Sequence, residues 1–327
     1  LFGEALWVTD GTTNGTQMVK DIHLSGPANN NAVQELFAFD DTLIFLGNDG
    51  TNGYELWKSD GTANGTQIIK DINPNGDSIP RHFTRLGNNI FFKASDGTNG
   101  TELWKTDGTS NGTELVKDVN PQTYPYIAGG LVNTHITIFD EQLYFKANNN
   151  SGAELWKSDG TTNGTQLVKS VGSSFTSFID FYVTESKLFF AAYDPAYGHE
   201  LWVSDGTTNG TIMVKEINPD TTGSASIIIF EVENDYGLVF FAADDGINGQ
   251  EMWVSDGTSA GTNMVANFNN NLTGALTYAY THLSMNPLLF NERLFLNMND
   301  GSGIQLVALE LSEDGSTVLL DDNIIYQ

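Results

Sequence analysis

Between residues 82 and 121 short apolar stretches alternate with turn formers. His82-Phe83-Thr84-Arg85-Leu86 runs into Gly87-Asn88, and Ile90-Phe91-Phe92-Lys93-Ala94 into Asp96-Gly97. Glu102-Leu103-Trp104-Lys105 then reaches Asp107-Gly108, and Glu114-Leu115-Val116-Lys117-Asp118-Val119 ends at Asn120-Pro121. Brief segments rich in β-branched and aromatic side chains, each closed by Gly, Asn or Asp, predict four antiparallel strands. No apolar period of 3.6 is sustained over ten residues, so helices are expected to be few.

The unit recurs along the chain. All six tryptophans, Trp7, Trp57, Trp104, Trp156, Trp202 and Trp253, fall 46 to 52 residues apart, which is the spacing of a repeat protein. Around Trp57 the string is Glu55-Leu56-Trp57-Lys58-Ser59-Asp60-Gly61-Thr62, then Gly65-Thr66 and Ile69-Lys70-Asp71-Ile72. The first copy has Ala5 in place of Glu, the sixth has Met252 in place of Leu, and a degenerate seventh copy lies near Leu306 without a tryptophan. Four-stranded units of this length predict an all-β fold, a β-propeller of four-stranded antiparallel blades forming a single domain over 1–327. A β-solenoid is the competing architecture, though its rungs are usually shorter. Phe91-Phe92 and Leu103-Trp104 make a blade apolar on both faces, so only neighbours on either side can cover it.

Strand counting gives 2 + 24 = 26, between the 24 of six blades and the 28 of seven. Seven blades are expected. The alternative is six, with the strands near Leu288–Phe290 and Leu294–Met298 pairing with the N-terminal hairpin and residues 304–322 left as an extra C-terminal hairpin. The recurring residues resemble the bacterial ELWxxDGTxxGT repeat proteins, on Glu55-Leu56-Trp57, Asp60-Gly61-Thr62 and Gly65-Thr66 and their copies at Trp104, Trp156, Trp202 and Trp253. That resemblance implies a part of a large secreted or surface protein of an environmental bacterium, and it offers no established catalytic activity to carry over.

Charge narrows the partners. With 14 Lys+Arg against 41 Asp+Glu the net charge is −27, and such a surface repels phosphate backbones and anionic headgroups. Neither nucleic acid nor membrane insertion is expected, and no run approaches the length of a membrane span. Cysteine is absent, which removes disulfides, thiolate nucleophiles and cysteine-held metals. Leu1 opens directly into a motif, so the chain reads as a mature or excised piece of a longer polypeptide. The acids recur with the repeat, Asp at the turns and Glu before Trp, and are expected to serve chiefly as solvated charge.

The tryptophans are expected in the core between blades, since an identical indole in every unit is what packing requires. Asp10, Asp60, Asp107, Asp159 and Asp205 each begin an Asp-Gly-Thr-x-Asn-Gly string with oxygens at positions 1, 3 and 5, the front half of a calcium loop. The acids at position 12, Asp21, Asp71, Asp118 and Glu216, lie too far along the fourth strand to complete it. Weakly bound calcium or plain turn chemistry are the two readings, and no other cofactor is indicated. Gly108-Thr109-Ser110-Asn111-Gly112 and Gly257-Thr258-Ser259-Ala260-Gly261 imitate a nucleophile elbow but join two strands.

Function is expected where the repeat breaks. The irregular loops carry Tyr124, Tyr126, Tyr197, Tyr278 and Tyr280, rings suited to stacking on sugars, beside Asn and Asp. The expected role is a non-enzymatic extracellular or cell-surface adhesion module with a glycan or another surface protein as ligand. The alternatives are a polysaccharide-active hydrolase or lyase using acids such as Asp194 or Asp244, and a structural spacer. A histidine metal cluster would require His23, His82, His135, His199 and His282 to converge from different blades.

Overall fold

Turn formers reverse the chain at the expected places, so each repeat becomes a meander of strands. The computed structural model describes residues 5–23, 32–121, 135–148, 153–171, 178–219, 227–230, 232, 234, 236–265, 287–291, 293–299, 304–311 and 318–320. The first sheet has two strands, β1 (Ala5–Val8) and β2 (Gln17–Asp21). The second has β3 (Val33–Phe39), β4 (Thr42–Asn48), β5 (Tyr54–Ser59) and β6 (Gln67–Lys70). The third has β7 (Arg81–Leu86), β8 (Asn89–Ser95), β9 (Thr101–Thr106) and β10 (Glu114–Lys117). The fourth has β11 (Thr137–Phe139), β12 (Gln142–Asn148), β13 (Ala153–Ser158) and β14 (Gln166–Ser170).

The fifth sheet has β15 (Phe178–Val183), β16 (Leu188–Asp194), β17 (Gly198–Ser204) and β18 (Ile212–Met213). The sixth has β19 (Ile228–Phe230), β20 (Val239–Asp244), β21 (Gln250–Ser255) and β22 (Asn263–Met264). The seventh has β23 (Leu288–Phe290), β24 (Arg293–Asn299), β25 (Ile304–Leu311) and β26 (Val318–Leu320). Strands in every sheet follow chain order, and the described pairings are antiparallel. No helix occurs among the described residues. The protein is all-β, built from repeated four-stranded antiparallel sheets.

The alternative assignment of the last strands needs correction. β23 and β24 pair with each other and β24 with β25, and β26 completes that sheet. The strands at 304–311 and 318–320 therefore belong to a four-stranded sheet with β23 and β24 and are not an extra hairpin. The seventh repeat supplies its own third and fourth strands even without a tryptophan, because register is set by alternation and turn length. Two compact units divide the chain, Leu1–Leu167 and Val168–Gln327.

In the first unit, the core lies between consecutive sheets. Phe45 faces Trp57 across β4 and β5, Phe92 faces Trp104 across β8 and β9, and Phe145 faces Trp156 across β12 and β13. The indole then presses on the preceding sheet. Trp57 joins Leu6, Val19 and Ile22, Trp104 joins Ile44, Leu56, Ile69 and Ile72, and Trp156 joins Leu103, Val116 and Val119. Phe91 packs toward the fourth sheet while its neighbour Phe92 packs toward the second, so successive side chains fill opposite faces. The second unit repeats this, with Trp253 of the sixth sheet set on Leu201, Val203, Val214 and Ile217 of the fifth. Trp7 differs: it is 59% exposed.

A polar contact accompanies the indoles from Trp57 onward. Lys20 Nζ donates to the Thr66 carbonyl of the next sheet at 2.6 Å, and Lys70, Lys117 and Lys215 reach the carbonyls of Thr113, Thr165 and Thr262 at 2.7 Å. Lys58 and Lys105, beside their tryptophans, reach the Gly108 and Gly160 carbonyls of the following turn at 2.9 and 3.3 Å. Lys169 and Lys187 do the same to Thr208 and Asp256. A cation held by a carbonyl contributes about 1.5–3 kcal/mol. Eight of the 11 lysines (14 Lys+Arg less three Arg) thus staple one repeat to another. Replacing Trp104 by alanine should destabilise the chain by about 3–5 kcal/mol in urea unfolding; a loss below 1 kcal/mol would remove the indole from the inter-sheet core.

Candidate functional site

The five candidate aspartates sit in exposed turns between third and fourth strands. In each, Oδ1 accepts two bonds from the threonine two residues on: Asp60 takes Thr62 N–H at 2.9 Å and its Oγ1–H at 2.7 Å. Asp10, Asp107, Asp159 and Asp205 repeat this geometry. The rest of the motif is equally used. Gly65 N donates to Thr62 Oγ1, and Thr66 Oγ1 donates to the Thr62 carbonyl and meets Ser59 Oγ at 2.7 Å. Gly61 holds φ at +86°, and a Cβ on Gly65 would lie 2.0 Å from Asp60 Oδ1. Both glycines are therefore required, one by conformation and one by space.

Threonine bonds first of all hold Asp10, Asp60, Asp107 and Asp159 below the usual carboxylate range. Among the described residues no group of three or more His, Cys, Asp or Glu side chains is placed to hold a metal ion. The elbow-like strings at 108–112 and 257–261 lie between β9 and β10 and between β21 and β22, two strands in each case.

Tyr124, Tyr126, Tyr278, Tyr280 and His282 lie outside the described residues. Tyr197 is a turn residue between β16 and β17, 40% exposed. Asp194 Oδ1 accepts Ala196 N–H at 2.7 Å and Asp244 Oδ1 accepts Gly246 N–H at 2.8 Å, so both acids close local turns.

The glutamates before tryptophan overturn the expectation of solvated charge. Glu55, Glu102, Glu154, Glu200 and Glu251 are all buried, at 0–1% exposure. Glu55, Glu102 and Glu200 grip the backbone from inside the repeat, and Glu154 accepts Trp156 Nε1–H at 3.0 Å. Glu55 accepts Ile72 N–H at 2.8 Å, Ser78 N–H at 3.1 Å and the Ser78 hydroxyl at 2.6 Å. Glu200 accepts Ile217 and Asn218 N–H at 3.1 and 3.2 Å. These carboxylates satisfy backbone donors just past the fourth strand, which would otherwise be buried unpaired. Burial pushes Glu55 and Glu200 up to about 7; their N–H donors oppose this, and Asp71 or Glu216 nearby adds to it.

Side chains of different sheets also converge at the first strands. Glu35, His82 and His135 occupy one register position, four residues before Phe39, Leu86 and Phe139, which pair with Thr42, Asn89 and Gln142. The His82 and His135 rings meet edge to face at 4.8 Å. Glu35 and His82 hold φ of 53° and 58°, inside bulges of β3 and β7. A non-glycine residue there is strained. Beside His82, Arg81 stands directly opposite Lys93 across β7 and β8. Lys93 is 7% exposed, and Arg81 Nε is buried without a partner. Burial, then Lys93, His135 and Arg81, lower His82 to about 4, with Glu35 opposing.

The sequence signal for this cluster was present but unread. Lys93 stands where the other repeats have Leu46, Ala191 and Ala242, and only the fourth shares it, as Lys146. Of the histidines considered for a metal cluster, His82 and His135 are brought together, but they belong to no metal-holding group among the described residues.

No protein-family model matches the chain, and no curated protein matches it. Among solved structures it is similar to a puromycin hydrolase S511A mutant complexed with PGG, at 12% identity and a TM-score of 0.45 over 88% of this chain and 44% of that one. It is also similar to a structure from an analysis of two prolyl endopeptidases, at 10% identity and a TM-score of 0.47 over 90% of this chain and 43% of that one. The chain thus spans less than half the length of either. The expected adhesion module has no counterpart in this comparison, whose structures are a hydrolase and an endopeptidase. Of the five tyrosines expected to carry a glycan, only Tyr197 lies among the described residues.

Two outcomes are expected. Gly65→Ala should destabilise the chain by about 1–3 kcal/mol, and Asp60→Ala in the same chain should recover part of that loss by opening the space. Additive losses would mean that Asp60 does not lie over Gly65.

The melting temperature should also fall from pH 5 to pH 8. A carboxyl raised from 4.5 to about 7 in the fold contributes stability present in full below pH ~4.5 and lost as pH climbs to about 7. The turn aspartates act in the opposite sense, losing their contribution as pH drops through the acid range. Glu55→Gln should flatten the profile between pH 4.5 and 7; an unchanged slope would mean that Glu55 is ionised throughout.

Proposed function

We propose that the sheets are the blades of a seven-bladed β-propeller of the ELWxxDGTxxGT repeat type, and that this ring is a non-catalytic module of a longer polypeptide. The carrying observation is the clamp shared by successive sheets, an indole pressed on the sheet before and a lysine held by the sheet after. A series of units each covered only by its neighbours leaves bare ends unless it closes or is capped. The exposed Trp7, in the two-stranded first sheet, is such an end, and a closed ring would cover it. The non-catalytic reading is supported by how the recurring polar side chains are used: Asp, Thr and Ser in turns, Glu in backbone grips, Lys in staples.

Two measurements test the two halves of the proposal. Trp7→Ala should destabilise the chain about as much as Trp104→Ala, as closure requires; a near-neutral Trp7→Ala would contradict a ring. The hydrolase and endopeptidase among the similar structures set the substrates for the second assay. The purified chain should leave puromycin and prolyl peptides intact, and turnover of either would contradict a non-catalytic module.

A further inference from the structure

We propose that Arg81, Lys93, His82 and His135 form a binding site for a small oxyanion, a carboxylate or a phosphate, at the first strands of the third and fourth sheets. The site lies wholly within the unit of residues 1–167 and does not depend on closure of a ring. Like charges directly opposite on an antiparallel pair repel, and Arg81 and Lys93 are such a pair. In a chain of net charge −27, two of its 14 basic residues are thus set against each other, one of them buried. A buried cation is costly unless a partner offsets it. Eight other lysines are each held by a backbone carbonyl, whereas Lys93 is neither stapled nor exposed.

Glu35 is the opposite charge acting on Lys93 and His82, but it is solvent-exposed and one carboxylate cannot offset both cations. Arg81 Nε remains a buried donor with no acceptor. An oxyanion between them would supply acceptors to the guanidinium fork, which suits carboxylate and phosphate geometry, and a counter-charge to the ammonium. The imidazoles of His82 and His135, in contact at 4.8 Å, would add N–H donors from a second sheet. The strained φ of His82 holds its ring at this place.

The repeat itself supplies the control. Alanine stands at the Lys93 position in the fifth and sixth sheets, as Ala191 and Ala242, both buried, so Lys93→Ala is compatible with the fold. At pH 7 and fixed ionic strength, sodium phosphate or sodium succinate should raise the melting temperature above that in sodium chloride. Titration calorimetry should give saturable one-site binding. Lys93→Ala, without added anion, should melt no lower than wild type and should bind about tenfold more weakly or worse. The imidazole C–H resonances of His82 and His135 should move with phosphate in wild type and should need about tenfold more phosphate, or fail to move, in the variant.

A stronger response to phosphate than to succinate would assign the site to phosphate, and the reverse to carboxylate; either supports the proposal. A response no greater than that to chloride would overturn it. So would equal binding by Lys93→Ala, or a Lys93→Ala chain that melts well below wild type without anion, which would make Lys93 a structural residue.

Discussion

The indole of a third strand pressed on the preceding sheet is the contact on which the other features of the repeat depend. A sheet whose strands read Ile90-Phe91-Phe92 is apolar on both faces, and a lone four-stranded sheet of that kind would expose them to water. Trp104 covers the sheet before it, and Phe91, Leu103 and Val116 receive Trp156 from the sheet after it. The contact has a direction along the chain. Each repeat therefore needs a predecessor and a successor, and an error in one sheet is felt by the next.

Polar side chains hold the distance at which that packing works. Lysines of one sheet end on carbonyls in the turn of the next, and that turn keeps its shape because Asp, Thr and Ser bond one another inside it. Glu55, Glu102 and Glu200 do the corresponding work at the other end of the third strand, holding N–H groups past the fourth. Net charge is thus a poor guide to surface chemistry in this chain. Part of the −27 is interior, and much of the small cationic complement is committed to staples, which makes the opposed Arg81 and Lys93 the anomaly of the described residues.

Strand order, repeat length and the buried tryptophans were legible in the sequence because each rests on a local rule: a period of two, a Gly or Asn at the turn, an identical aromatic in every unit. The turn aspartates were legible down to the choice between calcium and local bonding. The glutamates were misread, since a charged residue beside Leu-Trp looks like a solvated edge until the fourth-strand amides it grips are in place. The lysine staples were in plain view in Lys58 and Lys70, yet a carbonyl acceptor has no sequence signature. The His82 and His135 contact and the Arg81–Lys93 opposition depend on register and bulges, which spacing alone does not give. The glycan expectation leaned on tyrosines in irregular loops, where composition says least about geometry.

The most direct test of the inter-sheet clamp is a double-mutant cycle between its two halves. Lys70 of the second sheet is held by the third, and Trp104 of the third rests on the second. Unfolding free energies of Lys70→Met, Trp104→Phe and the double variant should show a coupling of about 0.5 kcal/mol or more, while Lys70→Met with Trp253→Phe should be additive. Additivity in both cycles would mean that the lysine and the indole do not act on one interface, and the account of the repeat as a series of clamped sheets would fail.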